Sequence, residues 1–332
     1  MKYPFYRGSG TRAASAAPVD LPASRRTQLM RPEHYLSDPG LSDACNVALL
    51  LGQPLLLTGE PGTGKTQFAS SLAWELGLDA PLKFETKSNS TARELFYTYD
   101  ALKRFQDAQS GANPANSLVY LTYRALGVAI LRTREPEEVA AFVPPSFVHE
   151  GKRRSVVLID EVDKAPRDFP NDMLNELEQL YFRVPELGDV RIEADPALQP
   201  VVVITSNSEK DLPDAFLRRC VYYHLTFPER ARLAEIIASR LGTQAAVSGA
   251  FLDDALSLFY QLREPSSGLR KKPATAELLG WLLALQALGD GRANPLERPE
   301  LAEQTLGVLI KTEYDLKKAT EIVRQWSSNR RR

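Results

Sequence analysis

Up to about residue 227, short apolar runs alternate with amphipathic stretches, and beyond it only the helical period remains. Residues 54–58, 82–86, Val156–Asp160, Val201–Thr205 and 221–226 are apolar enough to read as strands, the central ones covered on both faces. Between them, 41–51 predicts a short helix closed by Gly52-Gln53-Pro54. Phe68, Ala69, Leu72, Ala73 and Leu76 form a second helical stripe, stopped by Gly77. Pro170 suits the first turn of a helix carrying Met173, Leu174, Leu177 and Leu180 on one face. Residues 182–192 predict a hairpin turning at Leu187-Gly188-Asp189. Residues 90–132 read as mostly helical and longer than one crossover needs, an inserted unit broken at Ser110-Gly111-Ala112-Asn113-Pro114. Residues 133–155, with Pro144-Pro145 and Lys152-Arg153-Arg154, read as an exposed loop.

After Pro228, one stripe is Leu233, Ile236, Ile237 and Leu241, and another is Leu252, Ala255, Leu256, Phe259 and Leu262. Leu278, Leu279, Leu282, Leu283 and Leu285 make the next helix apolar nearly all round, so it is expected at the centre of a bundle. Leu316, Ala319, Ile322, Val323 and Trp326 mark the last helix. Strands alternating with helices predict an α/β fold, a parallel sheet between two helical layers, followed by a small all-α domain. The expected organisation is a flexible basic arm at 1–31, an α/β domain at 32–227 with its insertion at about 90–132, and helices over 228–332.

Composition changes this picture little. The 332 residues, 43% hydrophobic and 25% charged, suffice for two cores, and a net charge of −1 gives no global attraction to nucleic acid. The arm sets Lys2, Arg7, Arg12, Arg25, Arg26 and Arg31 against Asp20, a composition shared with organellar transit peptides but read here as a basic arm. No apolar run reaches bilayer-spanning length, so membrane insertion is not expected. Cys45 and Cys220 read as core residues of a reducing, cytoplasmic compartment, and His34, His149 and His224 show no metal-ligand spacing.

The chemistry starts at GEPGTGKT, directly behind the first strand and ahead of a helix. In that setting Gly59, Gly62 and Gly64 let backbone N–H groups converge on phosphates, with Glu60, Pro61, Thr63 and the following Gln67 beside them. Lys65 adds a charge toward the β and γ phosphates, Thr66 a hydroxyl for Mg²⁺, and the helix its positive end. Asp160 and Glu161, ending the strand Val156–Asp160, supply a carboxylate for Mg²⁺ through water and a base for the attacking water. Asn207 follows another buried strand and could orient that water. Arg218 and Arg219 precede the last strand, where they could reach a neighbouring subunit's γ-phosphate.

Taken together, GEPGTGKT, the stretch 156–166 (VVLIDEVDKAP), 204–207 (ITSN) and 213–220 (PDAFLRRC) resemble an AAA+ ATPase, more narrowly the MoxR branch, over about 41–288. The resemblance implies an α/β nucleotide domain with a helical lid, and a homo-oligomer, a hexameric ring with ATP between subunits. It implies Lys65 and Thr66 in the Walker A role, Asp160 and Glu161 in Walker B, Asn207 as sensor 1, and Arg219, before Arg218, as the finger acting in trans. The insertion resembles that branch's helix-2 insert, which faces the pore or a client. The family's usual lid arginine, sensor 2, has no counterpart after Pro273; Arg270, Lys271 and Lys272 are the candidates to replace it, and Thr275 is the expected helix cap.

The leading expectation is an ATP-driven remodelling chaperone whose partner, by resemblance, carries a von Willebrand factor A domain. Two alternatives differ in class. One is the motor of a DNA restriction or anti-phage complex, disfavoured by the charge balance and by Thr205-Ser206-Asn207-Ser208 in place of that group's Asn-Thr-Ser/Ala-Asp stretch. The other is an ATP-gated switch with little turnover, which an intact Glu161 opposes.

Overall fold

The computed structural model describes residues 5, 21, 29–110, 116–208, 210–242 and 249–330. Most of the expected arm, and most of the break at 110–114, lie outside the described residues. Among the described residues nine strands run β1 Leu55–Gly59, β2 Leu82–Glu85, β3 Tyr97–Tyr99, β4 Leu121–Tyr123, β5 Val156–Asp160, β6 Tyr181–Val184, β7 Val190–Glu193, β8 Val201–Thr205 and β9 Val221–Leu225. Five of them form one parallel sheet in the order β2-β5-β8-β1-β9. Every residue of β1 and β5 is buried, as their unbroken apolar sequences require of strands covered on both faces.

Alternation along the strands assigns the faces. Leu55, Leu57, Leu158 and Val203 point to one side, where they meet Leu41, Cys45, Phe68, Ala69 and Leu72. Those partners come from α1, Pro39–Leu51, and α2, Lys65–Glu75, which starts directly after the Gly-rich turn. Leu56, Val157, Ile159, Val202 and Ile204 point to the other side, against Leu126, Ala129 and Ile130 and the region around Phe169 and Met173. The α/β expectation is met, with helices on both faces of a parallel sheet.

Two stretches depart from expectation. The insertion is helical over most of its described residues, with α3, Ala101–Gln109, and α4, Ala125–Leu131, but it also holds a strand pair that was not expected, β3 antiparallel to β4 with Tyr97 opposite Tyr123. Tyr-Thr-Tyr against Leu-Thr-Tyr is a β-forming pair whose pleat buries the rings, and its two halves are too far apart in sequence for any local period to reveal. Residues 133–155 hold a helical turn, Pro136–Val139, and are not simply exposed, since Val139 is buried and Phe142, Val143 and Phe147 rest on the sheet's core. The hairpin is as expected, β6 on β7 with Phe182 opposite Ile192.

Beyond Phe227 the chain is helical: α5 Arg230–Leu241, α6 Gly249–Arg263, α7 Thr275–Leu288, α8 Pro299–Thr305 and α9 Glu313–Arg330. These share a separate apolar cluster around α7, whose Leu278, Trp281, Leu282 and Leu285 are fully enclosed. Trp281 carries a polar tip into that core, and its indole N–H donates to Thr305 Oγ1 at 2.8 Å. Thr275 is the first residue of α7 and Ala274 takes the cap position, its N–H donating to Glu277 at 3.1 Å. The glutamate of Thr-Ala-Glu reaches back one residue further than the threonine-cap reading allows.

Candidate active site

Sheet order gathers the polar groups. Because β8 lies between β1 and β5, the C-terminal ends of these three strands stand side by side, and each ends in chemistry. β1 runs into the Gly-rich turn, β5 into Asp160-Glu161, and β8 into Ser206-Asn207. Such strand ends are where ligands bind in open α/β sheets.

The turn is held tightly. Gly62 has φ 78°, and a Cβ there would come within 2.5 Å of the Ala274 Cβ, so no other residue fits the loop against the helical region. Lys65 is buried at 6% exposure, and its ammonium donates to the carbonyls of Gly59 at 2.8 Å and Glu60 at 2.9 Å. Burial pulls the Lys65 pKa down, opposed by the charges of Asp163, Asp160, Glu161 and Glu60. Thr63 Oγ1 donates to the Glu60 carbonyl at 2.9 Å, closing the turn.

Asp160 is the hub. Its Oδ1 accepts hydrogen bonds from Thr66 Oγ1 at 2.9 Å and Thr205 Oγ1 at 2.7 Å, so the turn, β5 and β8 meet on one oxygen. Its Oδ2 lies 3.0 Å from the Lys83 ammonium, which also donates to Glu85 Oε1 at 2.6 Å. Burial alone would depress the Lys83 pKa, but the hydrogen bonds to Glu85 and Asp160 outweigh it and the pKa is raised. A threonine hydroxyl and a carboxylate sharing one point are hard oxygen donors of the kind Mg²⁺ takes from a protein, so these residues fit the ion.

Glu161 occupies the left-handed region at φ 58°, which costs a non-glycine residue of order 1–3 kcal/mol and is met most often at functional sites. The backbone N–H of Glu161 donates to Thr205 Oγ1 at 2.8 Å, which holds it there. One carboxylate oxygen accepts from Asn207 Nδ2 at 3.1 Å and the other is paired with Lys164. Asn207 is itself anchored, its backbone N–H donating to both oxygens of the buried Asp163 at 3.2 Å. The tips therefore present a carboxylate and an amide in mutual contact beside a phosphate-type loop. They line a cavity of about 530 Å³ together with Pro61, Gly62, Thr63, Gly64, Thr66 and Gln67.

Residues 55–228, more than half of the chain, match the model of AAA, the ATPase family associated with various cellular activities. The chain belongs to this family. It is accordingly an ATPase, and the tips of β1, β5 and β8 lie within the matched residues. No curated protein matches it. Among solved structures, it is similar to a RuvB mutant of Thermotoga maritima at 17% identity, over 81% of this chain and 68% of that chain, with a TM-score of 0.44.

Not every candidate residue of this AAA ATPase reaches the cavity of its own chain. Arg219 donates to Glu178 at 3.1 Å and to the Ala215 carbonyl at 3.0 Å, away from the residues that line the cavity, and Arg218 is exposed. Glu60 lies in the loop but does not line the cavity, its carboxylate turned to Arg263 at 2.7 Å. Arg270 stacks on Tyr314 at 4.1 Å, and neither it nor Lys271 or Lys272 lines the cavity.

Three residues that do line it escaped the sequence reading. Lys83 is one, and its place in a four-residue strand next to β5 is the signal that could have found it. Arg240 is the second: from the last turn of α5 it donates to the Leu29 and Arg31 carbonyls at 3.0 and 2.9 Å and to Gln67 Oε1 at 2.8 Å. Its spacing of four from Ile236, another lining residue, carried that information. Tyr35 is the third, set edge-on to Phe68 and buried enough that its phenol pKa is raised.

Proposed function

We propose that this AAA ATPase is a MoxR-like remodelling machine. It hydrolyses ATP in a ring of identical subunits, six in number, and turns the resulting movement on a partner protein carrying a von Willebrand factor A domain. Thr66 and Asp160 would hold Mg²⁺, Asp160 through water. When bound, that ion neutralises charge on the phosphate oxygens. Glu161 takes the proton of the attacking water, and Asn207 keeps the carboxylate and the water aligned. Lys65 supports the transferred phosphoryl group, and Arg219 of the next subunit meets the charge that develops on it. The cytoplasm suits the free thiols of Cys45 and Cys220, and among the described residues no helix is long and apolar enough to cross a membrane.

The observation that supports a protein partner is the insertion. Its base is enclosed, with Leu95, Phe96, Tyr97 and Leu126 all buried, whereas α3 carries Leu102 and Phe105 at 67% and 60% exposure. A rigidly seated unit with exposed apolar side chains, added between β2 and β5, is suited to engaging another polypeptide.

The test is stimulation of phosphate release. A purified von Willebrand factor A domain protein is expected to raise turnover, and duplex DNA is not; stimulation by DNA alone would favour the restriction-motor alternative. The shared site has its own check. Mixed rings of Arg219→Ala and Lys65→Ala subunits should recover part of the activity that each variant lacks, and no recovery in rings shown to be mixed removes Arg219 from the site.

A further inference from the structure

Helix α6 ends in a buried cation. Arg263 has a side-chain exposure of 8%, and its guanidinium lies 3.4 Å from the centroid of the Phe227 ring, at the junction between sheet and helices. Its Nη1 donates to the Pro273 carbonyl at 2.6 Å, and its Nη2 donates to Glu60 Oε2 at 2.7 Å. One side chain thus touches the junction, the segment leading into α7, and the nucleotide loop. The residue after Pro273 is Ala274, the one that abuts Gly62, and Thr275, Ala276 and Leu279 of α7 wall the cavity.

We propose that Arg263, acting through Glu60, is a positioning residue of the ATPase: it locks the nucleotide loop to the start of α7, so that loop and lid move as one. The proposal rests on the family's ATPase activity and not on the remodelling reading. A buried guanidinium with a single carboxylate partner does not part from it freely, because separation leaves an uncompensated charge in a low-dielectric site. The carboxylate belongs to the loop that cradles phosphates, so a shift of that loop on nucleotide binding pulls on Arg263. Arg263 in turn carries Pro273 and the N-terminus of α7. This gives the lid a charged link to the nucleotide loop at a place other than the start of α7, where Thr275 and Ala276 stand and no arginine is available.

The test uses the full chain, with fluorophores on α2 and α9 reporting lid position. Glu60→Gln keeps the side chain's shape, is half-exposed and should fold. Its kcat is expected to fall about tenfold, within the usual range of coupling between sites. The dissociation constant for ATP should stay within about threefold, and the ATP-induced change in energy transfer should be lost. Arg263→Lys, which keeps the charge but not the fork, should show the same pattern, and the double variant should be no worse than either single one. Losses that multiply in the double variant, or single variants that keep both turnover and the energy-transfer change, overturn the proposal. Lys65→Ala serves as the control: if wild type and Lys65→Ala are equally inactive, the ATPase assignment fails instead.

Discussion

The two walls of the cavity at these strand ends are built on opposite principles. The sheet wall is polar and cross-braced: Asp160 takes Thr66, Thr205 and Lys83, while Glu161 takes Asn207 and Lys164. Asp160 and Thr205 end strands whose positions are fixed by their neighbours in the sheet, and Glu161 and Asn207 stand just beyond those ends. The wall made by residues 30–36 and the lid is largely apolar, from Met30, Leu36, Ile236 and Leu279, with Arg240 as its charged member among the described residues. Chemistry needs orientation to a fraction of an ångström, which a hydrogen-bonded sheet supplies; a binding surface needs only shape and exclusion of water, which apolar side chains supply. Substitutions on the first wall should therefore act on turnover, and those on the second on affinity.

The sharpest way to break this contrast is Glu161→Gln. Turnover should fall at least about a hundredfold, the lower end for loss of a general base, while ATP affinity holds. Phosphate release and equilibrium binding measured on one preparation decide it, and a parallel loss of binding would erase the distinction. Arg240→Ala comes next. Detaching residues 29–31 from α5 should raise KM for ATP about tenfold with little change in kcat, the pattern of a lost binding contact. A selective fall in kcat would move Arg240 to the catalytic wall.

The smallest effect concerns how the segment over the cavity is tied down. Asp38 caps α1, accepting from the Gly40 and Leu41 N–H groups, while Arg232 of α5 donates to the neighbouring Ser37 carbonyl at 2.6 Å. Asp38→Ala should cost about 1 kcal/mol, as caps do. The hydrogen bond from the Tyr223 hydroxyl, against a smaller opposing effect of burial, holds the Asp38 carboxyl below its ordinary pKa of 3.8. A depressed folded-state pKa stabilises above the unfolded value and that stabilisation is lost as pH falls. Denaturant unfolding of wild type and variant should therefore converge below about pH 4. A gap that persists at low pH would assign the effect to packing.

What was legible in the sequence follows the same divide. Gly59 to Thr66 and Asp160-Glu161 are contiguous, because one turn and one strand end carry the whole arrangement, and buried parallel strands announce themselves as unbroken apolar runs. Asn207 could be placed beside them because strands of that kind share one sheet. Lys83, Arg240 and Tyr35 could not, since each acquires its role from partners far along the chain. Tyr97–Tyr99 and Leu121–Tyr123 were hidden for a related reason: three-residue strands are too short to show a period of two, and each is stabilised by the other. Thr275 was misread as the cap by one residue, the ordinary uncertainty of a helix end.

The strand order also has a consequence for synthesis. β1 is the first strand made, yet its hydrogen-bonding neighbours are β8 and β9, the last two strands of the sheet. Until the ribosome has delivered residues up to 205, the apolar run of β1 has both edges open, and until 225 it has one, a state prone to pairing with other chains. Nucleotide cannot stabilise a half-made chain, because the loop that would bind it hangs from a strand with no partners. The first strand of the sheet to be made is thus the last to be closed on both sides.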